Sequence, residues 1–293
     1  MKALVPVQWT AWLAVSLLGG CITLTVDPRA VVSSARGSVS VATLKCEAAL
    51  LTAQDTGGSG SAEALDRGPF RVVTWNVHKQ ADPGWERDLA EFATSSDAVL
   101  LQEAVLQAPL RRILDDIGLR WVMASSFLSE TEEFGVLTAT RIAPIASCTQ
   151  RATEPLIRVP KSAIINWLPI VSTATGGRDT LAIVNVHSIN FELVLHEYRA
   201  QIEALAAALA GHRGPIIFGG DFNTWNDARD EVVRDATARL GLTEVNLRVD
   251  RRAVFFGRHL DHLFVRGLEL VDIDAIAVTS SDHNPIAATF RIP

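Results

Sequence analysis

Residues Ile216–Trp225 read IIFGGDFNTW: three apolar residues of strand character run into two glycines, a carboxylate, an amide and an aromatic ring. A β-branched or aromatic run that stops at a polar cluster reads as a strand ending in a loop. The same pattern recurs along the chain. Phe70 to Val77 (FRVVTWNV) stops at His78, and Val99-Leu100-Leu101 stops at Gln102-Glu103. Asn185-Val186-His187, Leu260-Asp261-His262 and Ser281-Asp282-His283-Asn284-Pro285 complete the set. In layered α/β proteins the ends of several strands converge on one crevice, so polar residues scattered in sequence can build a single site.

Outward from that stretch, further strands are predicted at Ala98–Leu101, Trp121–Ala124, Val136–Ala139, Ala163–Trp167, Leu181–Val186, Leu260–Val265 and Ile286–Ile292. Leu195, Tyr198, Ile202, Leu205 and Leu209 follow a 3-4-3-4 spacing that puts every apolar residue on one helical face, with Gly211 as the expected cap. Weaker helical patterns cover Trp85–Ala93, Pro109–Ile117 and Asp227–Leu240. Strands alternating with helices predict an α/β layered domain over 70–293, which no linker-like stretch interrupts.

Composition narrows the class. The chain has 293 residues, 48% hydrophobic and 20% charged, with a mean hydropathy of +0.20, enough to bury a sizeable core. This excludes a disordered or collagenous chain. A net charge of −6 argues against a whole-surface grip on nucleic acid and leaves room for a local basic groove. Three cysteines without a CxxC exclude a disulfide framework and a zinc cluster.

The first 20 residues carry one Lys and then an apolar run from Ala3 to Leu18, shorter than a spanning helix needs and interrupted by Pro6 and Gln8. That is the pattern of a secretory signal peptide. Leu18-Gly19-Gly20-Cys21 resembles a bacterial lipobox, which implies a lipidated Cys21; an ordinary signal peptide or an uncleaved anchor is the alternative. Residues 21–69 read as a flexible tether with a Gly/Ser stretch at 56–61, and Val41, Leu44, Ala48 and Leu51 fit one short helix within it. The expected location is the cell envelope, lipid-anchored to a membrane and facing the periplasm or exterior, as a monomer. Cys46 and Cys148 either form a bridge in an oxidising compartment or are two unrelated buried residues.

Each polar fragment alone is ordinary: Asn-x-His at a strand end is usually a turn. Their number and order are not. TWNVHK, LLQEA, NVHSIN, GGDFNTW, LDHLFVRG and SDHNPI span Thr74 to Ile286, and in this order they resemble the endonuclease/exonuclease/phosphatase (DNase I-like) superfamily, closest in flavour to its bacterial envelope-associated members. The resemblance implies a four-layer sandwich of two packed mixed β-sheets flanked by helices. It implies a Mg²⁺- or Mn²⁺-dependent phosphodiesterase, with Glu103 as the leading metal ligand supported by Asn76 and Asp282. It implies a carboxylate–histidine pair in Asp261 and His283, Asp221 and Asn223 near the attacking water, His187 at the phosphate, and Asn185 supporting that strand end. Either Asp221 or the His283 pair serves as base.

The remaining candidates divide. His78 either reaches the site or closes its turn. His262 should point away from Asp261 on an alternating strand, as a structural residue. His196, His212 and His259 read as surface or loop residues. Trp225 either lines the crevice or packs, and Arg158 and Lys161 either lend positive charge to the phosphate or are solvated. Gly219 and Gly220 read as permitting close backbone packing. The expected substrate is a phosphodiester, in nucleic acid or a phospholipid headgroup. A non-catalytic binding lipoprotein on the same scaffold is a different class, but it should have lost one of Glu103, Asp221, Asp261 or His283, and all four are present.

Overall fold

Alternation of apolar side chains drives most of the chain into two mixed sheets. The computed structural model describes residues 30–35, 37–41, 64–66, 68–129, 132–171 and 178–293. The expected leader, Cys21, Cys46 and the Gly/Ser stretch lie outside the described residues. So does the short helix expected from Val41, apart from Val41 itself, which ends a strand.

The first sheet has eight strands. In chain order they are β1 (Ala30–Ser34), β2 (Gly37–Val41), β3 (Phe70–Asn76), β4 (Ala98–Val105), β5 (Arg120–Leu128), β6 (Glu133–Thr140), β15 (Glu269–Ala275) and β16 (Ile286–Arg291). Across the sheet the order is β15-β16-β3-β4-β6-β5-β1-β2. The second contains β7 (Ala146–Thr153), β8 (Pro160–Val171), β9 (Arg178–His187), β10 (Ile216–Asp221), β11 (Thr243–Glu244) and β14 (Asp261–Arg266), in the order β11-β14-β10-β9-β8-β7. A hairpin of β12 (Val254–Phe255) and β13 (Arg258–His259) stands apart.

Among the described residues four α-helices cover the outer faces: α1 (Trp85–Thr94), α2 (Ala108–Ile117), α3 (His196–Leu209) and α4 (Asp227–Arg239). Helix α1 carries the crossover between parallel β3 and β4, and α3 the one between parallel β9 and β10. Asn226 caps α4 by accepting the Arg229 N–H at 2.9 Å, and Gly118, left-handed at φ 77°, ends α2. Helix α3 closes through the His212 N–H on the Leu209 carbonyl rather than through a left-handed Gly211.

Alternation sorts the side chains into three apolar layers. Val73, Trp75, Val99 and Leu101 face α1 and α2, against Leu89, Phe92, Leu110 and Leu114. Val72, Leu100 and Phe290 point the other way, against Leu181, Ile183, Ile217 and Leu263 of the second sheet. Val184, Val186 and Phe218 meet Tyr198, Ile202, Leu205 and Val232 of α3 and α4. Each fully buried aliphatic or aromatic side chain contributes roughly 1.5–3 kcal/mol. The result is the expected four-layer sandwich.

The stretch expected as a tether is in part sheet. Strands β1 and β2 form a hairpin, and β1 pairs with β5 from Val32↔Ala124 to Ser34↔Val122. In β2 (GSVSV) valines alternate with serines, while β1 (AVVSS) has no such period, and both are short runs inside a Ser-rich composition. The edge strands β7 and β15 also escaped the apolar criterion, because β15 reads ELVDIDA and is largely solvent-facing.

Candidate active site

Three site residues share one row. In the second sheet Asp221 pairs with His187 of β9 on one side and with Asp261 of β14 on the other. The row depends on Gly220, whose φ is +141° and whose Cβ position lies 2.1 Å from the Val186 carbonyl oxygen, a space only glycine fits. Past the row the chain turns at Asn223 (φ 51°), whose N–H donates to Asp221 Oδ1 at 3.0 Å and whose side chain donates to the Ser188 carbonyl at 2.9 Å.

The first sheet supplies its half through distortion. In β4, Leu101 pairs with Leu137 and Ala104 with Gly135, so Gln102 and Glu103 together face only Val136. This bulge puts Glu103 in the left-handed region, at φ 53°, and turns its carboxylate into the pocket. Gln102 points down instead and donates to Asn185 Oδ1 at 2.7 Å, while Asn185 donates to the Leu101 and Leu137 carbonyls. Asn185 therefore ties the sheets together beneath the site. After β3, three consecutive residues (His78, Lys79 and Gln80) have φ between 45° and 56°. Gln80 stabilises that turn by pairing its amide with both backbone groups of Val105, at 2.6 and 3.1 Å.

His283 arrives on the loop before β16. Ser281 donates to the Asn76 carbonyl at 2.7 Å and accepts from the His283 N–H, and Trp75 Nε1 donates to the His283 carbonyl at 3.1 Å. The ring then meets Asp261 through Nδ1 at 2.6 Å, which leaves Nε2 free of that bond. Burial works against a charge on His283, but Asp261, Asp221 and Asp282 outweigh it and raise its pKa to about 10. Burial raises the Asp221 pKa to about 6, with the His283 cation pulling it down and Asp261 pushing it up. Asn76 Nδ2 donates to Asp221 Oδ2 at 2.9 Å and so joins the two sheets at the site.

Asn76, Glu103, His187, Asp221, Asn223, Asp282 and His283 line one pocket of about 220 Å³, and Asp261 stands behind His283. All eight residues expected from sequence therefore converge. Asp282 lies at the rim, more than half exposed, with Oδ1 3.9 Å from His78 Nδ1. His78 reaches the pocket and also pairs with Asp82 at 2.7 Å. His262 faces away, bonded to Glu244 and Thr224 at 2.7 Å each. Arg158 is exposed, whereas Lys161 enters the site with Nζ 2.8 Å from His187 Nε2. Burial and the Lys161 ammonium hold the His187 pKa well below its usual value, so this ring is neutral.

Sequence reasoning passed over Lys79, Asn190 and Phe255, which also line the pocket, although the first two lie inside the quoted motifs. It also gave no role to Arg229. That side chain is fully buried, donates to the Ile189 and Asn190 carbonyls at 2.5 and 2.7 Å, and lies between the Tyr198 and Trp225 rings at 4.4 and 4.6 Å. Trp225 packs on it and donates to Asn190 Oδ1 at 3.0 Å, so it braces the loop beside the pocket. Cys148 is disulfide-bonded, so it is not an unpaired buried thiol; the other half of the bridge lies outside the described residues.

The donor chemistry fits a hard divalent cation. Glu103 is ionised: burial opposes its charge, but His187, Lys79 and Lys161 outweigh burial and hold its pKa at about 2. Lys79 Nζ sits 2.5 Å from its Oε2, so a cationic group already occupies this carboxylate. The oxygen-rich surroundings of Asn76, Asp221, Asn223 and Asp282 suit Mg²⁺ or Mn²⁺. Asp221, Asp261 and His283 also bring ligand atoms within 4.8 Å of one another, a second buried group able to hold an ion or a proton.

Comparison with known proteins agrees with this geometry. The model of the "Endonuclease/Exonuclease/phosphatase family" matches residues 73–283. A UPF0294 protein of Yersinia pseudotuberculosis is 35% identical over 243 residues, covering 79% of this chain and 92% of the relative. One from Vibrio campbellii is 36% identical over 234 residues, covering 78% and 80%. The human Nocturnin catalytic domain with bound sulfate superposes with a TM-score of 0.57 at 18% identity, covering 79% of this chain and 97% of that one. Danio rerio TDP2 in complex with a single-strand DNA product superposes with a TM-score of 0.54 at 17% identity, covering 76% and 99%.

Proposed function

The chain belongs to the endonuclease/exonuclease/phosphatase family, and from that premise we propose a divalent-metal-dependent phosphoesterase that hydrolyses phosphodiester bonds by in-line attack of water. The observation that carries this reading is the convergence of Glu103 with the Asp221–Asp261–His283 group on one pocket from four separate chain segments. Hydrolysis requires neutralising an anion, aligning water and stabilising a leaving oxygen.

Glu103, supported by Asn76 and Asp282, would hold Mg²⁺ or Mn²⁺, which when bound neutralises phosphate charge and stabilises the departing oxygen. Asp261 fixes the His283 ring, and the proton that His283 retains makes it a phosphate-binding cation. Asp221 is then the carboxylate free to take a proton from water, with its pKa of about 6 close to the working pH. Neutral His187, braced by Lys161, is placed to contact the phosphate beside Glu103 and Asp221, 3.7 and 3.6 Å away. The substrate is a phosphodiester of nucleic acid or of a phospholipid headgroup; TDP2, a fold neighbour, was captured with single-strand DNA.

The test is hydrolysis of bis-p-nitrophenyl phosphate by the full chain. Activity should need Mg²⁺ or Mn²⁺, vanish in chelator, and be lost in Glu103→Ala and His283→Ala. Activity that persists in chelator, or equal background in all three proteins, sinks the proposal. Plasmid DNA and labelled phospholipid vesicles run side by side separate the substrates. We also infer from residues 1–21 a lipid anchor in the cell envelope; fatty-acid labelling that survives Cys21→Ser would refute it.

A further inference from the structure

Large exposed hydrophobics gather on three loops beside the pocket. Leu156 and Ile157 stand between β7 and β8, Leu193 and Val194 between β9 and α3, and Phe255 and Phe256 on the β12–β13 hairpin. Leu193 and Val194 are each 84% exposed and Phe256 is 78% exposed. The loops form a continuous rim. Glu154 Oε1 accepts the Asn190 N–H at 2.7 Å, Asn190 accepts from Trp225, and the Trp225 ring meets Phe256 edge-on at 6.5 Å. Asn190 and Phe255 also line the pocket, so the rim opens directly onto it.

Backbone strain marks the same segments. Eight non-glycine residues among those described have positive φ, and five belong to the pocket loops. The other three (Arg158, Leu195 and Phe256) fall one on each rim loop. A bulky aromatic in the left-handed region is strained, and such residues cluster at functional sites.

We propose that this rim is a membrane-docking surface, which seats on an anionic phospholipid bilayer and presents the pocket to phosphodiesters in its headgroups. The apolar side chains project singly from loop tips rather than enclosing a groove, the form suited to insertion among headgroups. Charge agrees. Arg158, Arg199 and Arg258 are at least partly exposed around the rim, Arg258 paired with Asp227, while Glu154 and Glu192 are buried on backbone N–H groups and Glu197 stays exposed. Among the exposed groups three arginines stand against two carboxylates, Glu197 and Asp227, an excess of one positive charge on a chain of charge −6, which suits an anionic lipid surface. The expected anchor at Cys21 would keep the local bilayer concentration high. Delivery of headgroup phosphodiesters rests on the hydrolytic reading of the pocket; docking itself does not.

Hydrogen exchange by mass spectrometry on the full chain tests this, with and without vesicles of phosphatidylethanolamine and phosphatidylglycerol. Exchange at 155–158, 190–195 and 254–257 should slow at least several-fold with vesicles, and the paired substitution Leu193→Ser/Val194→Ser should remove that protection while leaving bis-p-nitrophenyl phosphate hydrolysis intact. Unchanged exchange, or protection that survives the paired substitution, overturns docking. So does protection that grows with protein concentration alone, which would mean a second copy covers the rim, or protection by single-strand DNA and not by vesicles. Docking without hydrolysis of any phosphodiester would instead overturn the enzymatic reading.

Discussion

The two sheets build their halves of the pocket by opposite means. The second sheet uses regularity: His187, Asp221 and Asp261 sit in register across three hydrogen-bonded strands, and Gly220 is shaped to keep them close. The first sheet uses irregularity, with Glu103 on a bulge and His78, Lys79 and Gln80 in a left-handed turn. A ladder fixes a side chain through its neighbours' pairing, whereas a bulge re-aims one at the cost of local strain. The ladder half should therefore fail through packing and charge, and the bulge half through backbone conformation.

The largest effect should come from the ladder half. Asp221→Asn keeps the shape and removes the base, so hydrolysis should fall about 10³-fold, within the range for a general base. The same change removes one of two carboxylates held in register, so the variant should melt above the wild type at pH 8. Retained activity would shift the base to His283, and a lower melting temperature would mean that the repulsion is already relieved.

Gly220→Ala should destabilise the fold by roughly 3 kcal/mol, because the added methyl group would lie 2.1 Å from a backbone oxygen that the ladder cannot move. Denaturant unfolding measures it. A cost under about 1 kcal/mol would show that β9 and β10 can separate and that the row is not rigid.

The half legible in the sequence was the one with period. Val72, Leu100, Ile217 and their neighbours announce strands by alternation, and the polar residue at each strand end announces the site. Glu103 was identified from its motif, but its bulge was not, since nothing in Gln102-Glu103 marks a left-handed residue. Lys161 stood open in the sequence between phosphate contact and solvent, Phe255 joins the site through a segment with no local signature, and Arg229 becomes a brace only once three loops surround it. The strands β1 and β2 were hidden because each is five residues long and carries two serines in a Ser-rich stretch, and β15 because an edge strand needs only one apolar face. Long-range pairing decides all of these.

Charge separates the groups of the site as pH rises, across the two sheets rather than between them. The folded-state pKa of His283 lies at about 10, above its unfolded 6.5, so its stabilisation is complete below 6.5 and is lost toward 10. Asp221 changes in the same sense, from 3.8 to about 6. Glu103 works oppositely, with a folded pKa of about 2, so its contribution is present above 4.5 and is lost only in acid. In chelator, the free energy of unfolding should therefore fall between pH 6.5 and 10 by on the order of a few kcal/mol. His283→Gln should flatten that slope, and Glu103→Gln should leave it in place. A slope unaffected by His283→Gln would locate the alkaline loss elsewhere.

The smallest effect isolates the bulge. Glu103→Ala and Glu103→Gly both delete the carboxylate and both leave Lys79 without its partner, so those losses cancel between them. What remains is the backbone at φ 53°, where alanine pays a steric cost that glycine does not. Glycine loses more entropy on folding, which favours alanine by roughly 0.5–1 kcal/mol at an ordinary position. At this one the order should invert, with Glu103→Gly the more stable by about 1 kcal/mol in urea unfolding. Asp221→Gly and Asp221→Ala supply the control, since Asp221 carries no positive φ and the ordinary order should hold there. Inversion at 103 alone would locate the strain at the bulge and not in the ladder row. The same order at both positions would erase the distinction between the sheets.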